Sequence, residues 1–305
     1  MANSAVALVV ALIYALPSLL VYCSTVVIII VYWKNVKSSF YQFYIFEFFM
    51  NVLTFWNTVV ALRLPSSTCF DCRMASFFLD PHRSQSSLFN QFQYAMKFHM
   101  AYVQYSTTAI VALNRATIIY RQQTFEPFWR KFSWLFMIFI ACAPFGFTYP
   151  VFLNDAKYKY HPASDYYSLD SDYKSWIMFE CLLPTMIVTT VITIIANIVS
   201  FIRLAKLPYT PRQLEKSFLT VTILASLAQV LGTILSAMML FSSPGSGLSV
   251  FTTQALPFVS DTLTLIQPYL LLVFCHGIRK RLASLALLCN CFIPDLNRVV
   301  HPSYT

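Results

Sequence analysis

Seven long apolar runs constrain the fold of this chain more than any motif in it. They cover roughly residues 5–33, 40–62, 88–114, 133–153, 176–202, 217–242 and 250–276. A helix crosses the hydrocarbon core of a bilayer in about 20 residues, so each run is long enough to span, although polar residues interrupt the second and third. The expected fold is therefore all-α, a bundle of seven transmembrane helices. Only 11% of residues are charged while 58% are hydrophobic, against roughly a quarter charged in soluble domains. The formal charge of +9 would suit a nucleic-acid partner if it were gathered on one face. It lies instead in short connectors, so the expected partner is the bilayer and not nucleic acid. The first run lacks a basic leader and a small-residue cleavage site, and reads as a retained helix. No internal repeat is evident.

The basic residues orient the chain. With the N-terminus outside, fourteen Lys and Arg fall in inner segments and six in outer ones, whereas the acids favour the outer side. Short loops rich in Lys and Arg stay in the cytoplasm, so the N-terminus is expected outside and the C-terminus inside. Trp33, Trp129, Trp134 and Trp176 fall near predicted helix ends, where interfacial indoles belong.

Ionisable groups inside a span cost several kcal/mol unless paired or hydrated. Four stand out: Glu47, Lys97, Glu180 and Asp261. Lys97 lies about nine residues into the third run, roughly 13 Å at 1.5 Å per residue. Asp261 lies at a comparable depth in the seventh. Tyr94, Lys97, Ala101, Gln104 and Thr108 follow helical spacing and form one moderately polar face. One reading pairs Lys97 with Asp261 at the border of a ligand pocket walled by Tyr94, Lys97, Ala101, Gln104 and Asp261. The other makes Lys97 part of a structural ion pair, or a lysine that snorkels outward. Glu180 reads as solvated near the outer mouth, Glu47 as an internal polar contact and His99 as a packed neighbour. The tyrosine-rich outer stretch 154–176 reads as a solvated connector, with a ligand-admitting lid as the alternative.

The third run ends in "VALNRATIIYRQ" (111–122), where Asn114 and Arg115 close the apolar stretch. On the residue alone, Arg115 reads as an interfacial anchor that snorkels to headgroups. More can be read from "SSFYQFY" (38–44), "LRLP" (62–65), "KFHMAYVQYSTTAIVALNRATIIY" (97–120) and "FEPFWRK" (125–131). In order and spacing these resemble the nematode serpentine chemoreceptors, class gamma most closely, with classes U and V as neighbours. The resemblance implies a G protein-coupled chemosensory receptor at the plasma membrane, in a sensory cilium for such receptors, whose partners are a small-molecule ligand and a heterotrimeric G protein. It sets Asn114-Arg115 where rhodopsin-like receptors carry Asp/Glu-Arg-Tyr. There the arginine helps hold the inactive state and then meets the G protein. An arginine cannot escape burial by deprotonating, so a contact made in one packing and broken in another suits a population shift. Asn114 in place of an acid removes the usual local ion pair. The segments 115–132 and 203–216 are expected to be inner loops that touch the G protein.

The pattern departs from rhodopsin-like receptors in the sixth and seventh runs. The sixth has no mid-span proline or tryptophan, and only Gly232 offers a bend. In the seventh, Pro268 of "IQPYLLLVF" (266–274) is expected to kink the helix. Cys69 and Cys72 sit in the first outer segment, where a short local disulfide fits an oxidising side. Cys23, Cys142, Cys181 and Cys275 read as small packing residues. The tail, residues 277–305, is expected to carry an amphipathic helix over 277–292 on the inner leaflet. Its Cys289 and Cys291 are candidate palmitoylation sites, with plain lipid-facing packing as the alternative. No cofactor, metal site or enzymatic signature is expected: P-loop, His-Glu-x-x-His and Gly-x-Gly-x-x-Gly are absent, and residues 249–276 contain no lysine for a retinal Schiff base. The competing function is a ligand-gated channel or small transporter, which for an inverted seven-helix channel would put the N-terminus inside.

Overall fold

A computed structural model describes residues 2–33, 38–79, 87–162, 165–206, 209–243, 246–275, 278–280 and 282. Its helices are α1 (Ala2–Val31), α2 (Ser39–Ser66), the short α3 (Ala75–Leu79), α4 (88–120), α5 (122–142), α6 (Phe145–Leu153), α7 (Ser175–Leu204), α8 (Tyr209–Phe241), α9 (Gly247–Leu265) and α10 (Gln267–Phe274). Five stretches are long and apolar enough to cross a membrane, and a sixth is the pair α9–α10, bent by 43°.

The longest stretch, Leu88–Leu153, counts as two crossings. Arg121 leaves helical geometry at φ −157°, ψ 80°, and the chain doubles back there. The Trp129 indole N–H donates to Thr117 Oγ1 at 2.7 Å, and His99 reaches both Thr148 and the Ala141 carbonyl. Helices α4 and α5–α6 therefore lie antiparallel, as two legs of the bundle rather than one.

Two hydrophobic clusters mark the ends of the bundle. One gathers Ala61, Phe78, Tyr94, Phe98, Tyr158, Tyr167, Met178, Leu182, Ala228 and Leu263. The other gathers Ile28, Phe40, Phe43, Tyr44, Ile118, Trp129, Phe218, Leu271 and Cys275. Successive helices contribute opposite ends to each, as an up-and-down bundle requires. Outside runs a belt of apolar side chains such as Leu20, Ile30, Phe139, Ile195 and Phe201, each more than half exposed, which lipid covers.

Three local features position the site. Helix α2 starts on Ser38, whose hydroxyl accepts the Phe40 N–H, while the Glu126 carboxylate accepts the Ser39 N–H at 2.7 Å. Near its other end α2 widens into a π-turn over Val59–Arg63. Pro65 explains the turn, since it has no N–H for the carbonyl four residues back and its ring crowds that position. The Leu64 N–H bonds Val59 instead of Val60, and the freed Val60 carbonyl accepts the Tyr158 hydroxyl at 3.5 Å.

The segment 154–176 is more than a solvated connector. It folds into a β-hairpin, β1 (Ala156–His161) antiparallel to β2 (Tyr166–Ser171), with Tyr158 opposite Leu169. Ala156, Tyr158, Tyr167 and Leu169 are buried on the bundle. Phe78 of α3 packs on Tyr158 and Tyr167 at ring-centroid distances of 4.8 and 5.3 Å. At its tip Asp165 takes the αL conformation, φ 48°. One carboxylate oxygen there accepts both the Phe70 N–H and the Tyr160 hydroxyl. Those bonds, the Phe70 N–H first, hold the Asp165 carboxyl below its usual range, and the same bond raises the Tyr160 hydroxyl. The sulfurs of Cys69 and Cys72 are paired beside this contact.

Other expectations also shift. The segment 115–132 is helical except at Arg121 rather than a loop, because α4 and α5 run past the apolar stretches. Trp129 is buried between α4 and α5 instead of lying at the interface, and Cys23, Cys142 and Cys181 are exposed rather than packed inside. Cys289, Cys291, Arg281 and most of the expected tail helix lie outside the described residues.

Candidate functional site: a central cavity between two buried ion pairs

A cavity of about 210 Å³ lies within the bundle toward the hairpin end. Five crossings wall it: α2 through Thr54, Asn57 and Thr58, α4 through Lys97, Ala101, Gln104 and Tyr105, α7 through Phe179 and Met186, α8 through Gly232 and Ser236, and α9 through Pro257 and Ser260. Three residues of the expected polar face, Lys97, Ala101 and Gln104, do line it. Tyr94 does not; it is buried under the hairpin. Lys97 is exposed toward this space and leans on the rings of Tyr94 and Phe98, its Nζ 5.7 and 5.6 Å from their centroids. Gln104 ties the wall together, donating to Asn51 Oδ1 at 3.1 Å and Thr264 Oγ1 at 2.9 Å. Gly232 is there for Tyr105. A Cβ at that position would collide with the Tyr105 hydroxyl, which donates to the Gln229 carbonyl. No bend appears at Gly232; α8 runs unbroken through it.

Asp261 does not pair with Lys97. Its carboxylate is taken by the Arg63 guanidinium and the Tyr14 hydroxyl, a buried triad that joins α9, α2 and α1. The neighbouring Ser260 and Leu263 face the cavity, and at about 100° per residue Asp261 points away from it. The π-turn supplies the partner. One extra residue per turn rotates Arg63 inward, where the Pro257 carbonyl and the Phe258 ring also receive it.

At the opposite end Arg115 is almost fully buried, 1% exposed. Its Nε and Nη2 donate to Asn114 Oδ1 at 3.1 and 2.8 Å. Its charge is met across the bundle by Glu215 of α8 at 3.5 Å. The guanidinium sits between the rings of Phe40 and Phe218, 4.9 and 5.1 Å from their centroids, where a ring's negative face favours a cation. Asn114 passes the connection on: its Nδ2 donates to Ser39 Oγ at 2.9 Å, and that hydroxyl donates to Glu126 at 2.9 Å. Thus α2, α4, α5 and α8 meet at one point. This network of contacts stands where the resemblance implied only Asn114 and Arg115.

Glu47 is buried on the wall of a smaller space of about 10 Å³, shared with Asn51, Gln104, Thr107, Thr108 and Gln267, room for one water at most. Glu180 is exposed. His99 packs on Phe145 at 4.2 Å and is held by Thr148 and Ala141. Pro268 is buried two residues after the bend between α9 and α10. Among the described residues no group of three or more His, Cys, Asp or Glu is placed to hold a metal ion.

Comparison with known proteins gives the same picture along nearly the whole chain. The sequence profile of the Srg family of chemoreceptors matches residues 8–282. Serpentine receptor class gamma-31 of Caenorhabditis elegans is 29% identical over 286 residues, covering 90% of each chain.

Proposed function

The chain belongs to the Srg family of chemoreceptors and is a multi-pass membrane protein; from that premise we propose that it binds a small molecule in the cavity between α2, α4, α7, α8 and α9, and that binding there frees the Arg115 end to engage a heterotrimeric G protein. In this reading the hairpin end faces outside and the Arg115 end the cytoplasm of the plasma membrane, in keeping with the excess of inner Lys and Arg.

One observation carries the proposal. A single unbroken helix, α8, lines the cavity with Gly232 and Ser236 and carries Glu215 to Arg115. Seventeen residues separate Glu215 from Gly232, about 25 Å at the helical rise. A ligand that prefers a different tilt of α8 changes the distance between Glu215 and Arg115, and a ligand shifts an equilibrium only through such a difference between states. Arg115 is then a charge exposed to a partner when Glu215 leaves.

The test uses tagged receptor in reporter cells with G protein dissociation sensors and a panel of small excreted and volatile molecules. An N-terminal tag should stain on intact cells and a C-terminal tag only after permeabilisation. Ala101→Phe, which fills the cavity, should abolish the response to any active molecule while surface staining persists. An N-terminus found inside, or an undiminished response from the filled cavity, would overturn the reading.

A further inference from the structure

A second cavity lies at the Arg115 end, outside the bundle axis, between the end of α1 and the starts of α2 and α5. It measures about 460 Å³ and is lined by Trp33, Ser38, Gln42, Pro127, Arg130 and Lys131. Nothing in the receptor mechanism above uses it.

Its wall is built almost entirely of hydrogen-bond donors. Arg130 and Lys131 bring two cations, and neither has an ion-pair partner among the described residues. Lys131 rests against the Phe132 ring at 5.5 Å, still open to the cavity. Gln42 accepts the Ser133 hydroxyl through Oε1 at 2.6 Å, which leaves its amide N–H groups as what it can offer. Ser38 accepts the Phe40 N–H, which leaves its hydroxyl proton. The one acid nearby in sequence, Glu126, spends both carboxylate oxygens on Ser39 and does not line the space. A pocket with two unpaired cations, several spare donors and no carboxylate is complementary to an anion.

Position and size narrow the anion's identity. A space of about 460 Å³ is far more than a bare phosphate fills. The helices that flank it expose Val27, Ile30 and Val31 on α1 and Trp134, Leu135 and Ile138 on α5, each about half exposed or more. Lipid-facing apolar surface thus runs directly up to the charged mouth. An occupant with a negative head and apolar chains satisfies both parts at once.

We propose that this cavity seats the phosphate-bearing headgroup of an anionic phospholipid, whose acyl chains lie along the outward faces of α1 and α5. Arg130 and Lys131 hold the phosphate, Gln42 and Ser38 donate to it, and Trp33 marks the depth of the glycerol region. Because the seat abuts Ser38 and Ser39, occupancy braces the start of α2, to which Glu126 and Asn114 are bonded.

Native mass spectrometry of the full-length detergent-solubilised receptor tests this with three defined probes: phosphatidylcholine, phosphatidylinositol 4-phosphate and inorganic phosphate. The anionic lipid should bind in preference to phosphatidylcholine, and the double variant Arg130→Gln, Lys131→Gln should weaken that preference by roughly thirty-fold, as two cations at a lipid surface imply. The control Arg203→Gln, Lys206→Gln, with cations at the end of α7, should leave it intact. Melting in phosphatidylcholine nanodiscs should be the same for both variants, since all four side chains are exposed. Equal losses from both double variants would mean diffuse attraction and overturn the proposal. So would an undiminished preference in the first variant, or inorganic phosphate displacing the lipid at equal concentration.

Discussion

Among the described residues the bundle contains two buried arginine–carboxylate pairs, one at each end, and they are built differently. At the hairpin end Asp261 receives donors from two other helices, Arg63 and Tyr14, and Arg63 is clasped further by a carbonyl and a ring. At the other end Arg115 meets Glu215 at only 3.5 Å and gives its shorter bonds to the neutral Asn114. The first carboxylate is shared and cannot leave without stranding a charge. The second arginine keeps Asn114, Phe40 and Phe218 when Glu215 departs. One pair is a rivet and the other a latch. The proposed mechanism, in which α1, α2 and α9 stay together while α8 moves, calls for both.

The sharpest way to break this contrast is to remove one charge from each pair. Arg63→Ala or Asp261→Ala should cost about 3–5 kcal/mol, the penalty for an abandoned buried charge, and abolish surface expression measured by antibody staining. Replacing both together, Arg63→Met with Asp261→Leu, should restore most of it. If either single variant reaches the surface normally, the rivet is misread. Glu215→Gln should leave expression near normal and raise basal G protein activation about five-fold, near the low end of typical coupling energies of about 1–3 kcal/mol. Unchanged basal activity would make the latch a passive contact.

Smaller effects are expected at the hairpin end. Tyr158→Phe removes the hydroxyl that covers the free Val60 carbonyl. At 3.5 Å the loss should be about 0.5 kcal/mol, seen as a small fall in melting temperature without loss of surface staining. The hairpin tip should respond to acid alone. The Asp165 carboxyl lies below its usual range because the Phe70 N–H and the Tyr160 hydroxyl bond its ionised form. A lowered folded-state pKa stabilises above the unfolded value, near about 4. That contribution disappears as pH falls through the folded value. Trp176 fluorescence should therefore report loosening only below about pH 4, with no change between pH 5 and 8, and Asp165→Asn should remove the transition. A transition near neutral pH would assign the hairpin's stability elsewhere.

Much of the bundle was legible in the sequence because lipid forces long apolar helices and gathers basic residues on one side. Arg115 was visible for the same reason, as a charge ending an apolar run. Its partners were not: Glu215 is 100 residues away and Glu126 lies 87 from the serine it holds, and both read as ordinary loop acids. The pairing expected for Asp261 failed on rotation rather than depth. Helical rise places Lys97 and Asp261 at similar levels, but only the π-turn that Pro65 imposes reveals that Arg63 turns inward to meet Asp261. The hairpin did leave a signal. In "AKYKYH" the lysines alternate with alanine and tyrosine, a period of two that marks a half-buried strand, and its burial alternates the same way at first.

The latch can be watched directly by measuring the distance between spin labels at Tyr120 on α4 and Lys216 on α8, both exposed, in a background otherwise free of reactive cysteines. In ligand-free receptor the pair should show one short distance, and Glu215→Gln should add a second, longer population. Identical distance distributions in the two proteins would contradict the idea that Glu215 is what keeps α8 closed against Arg115.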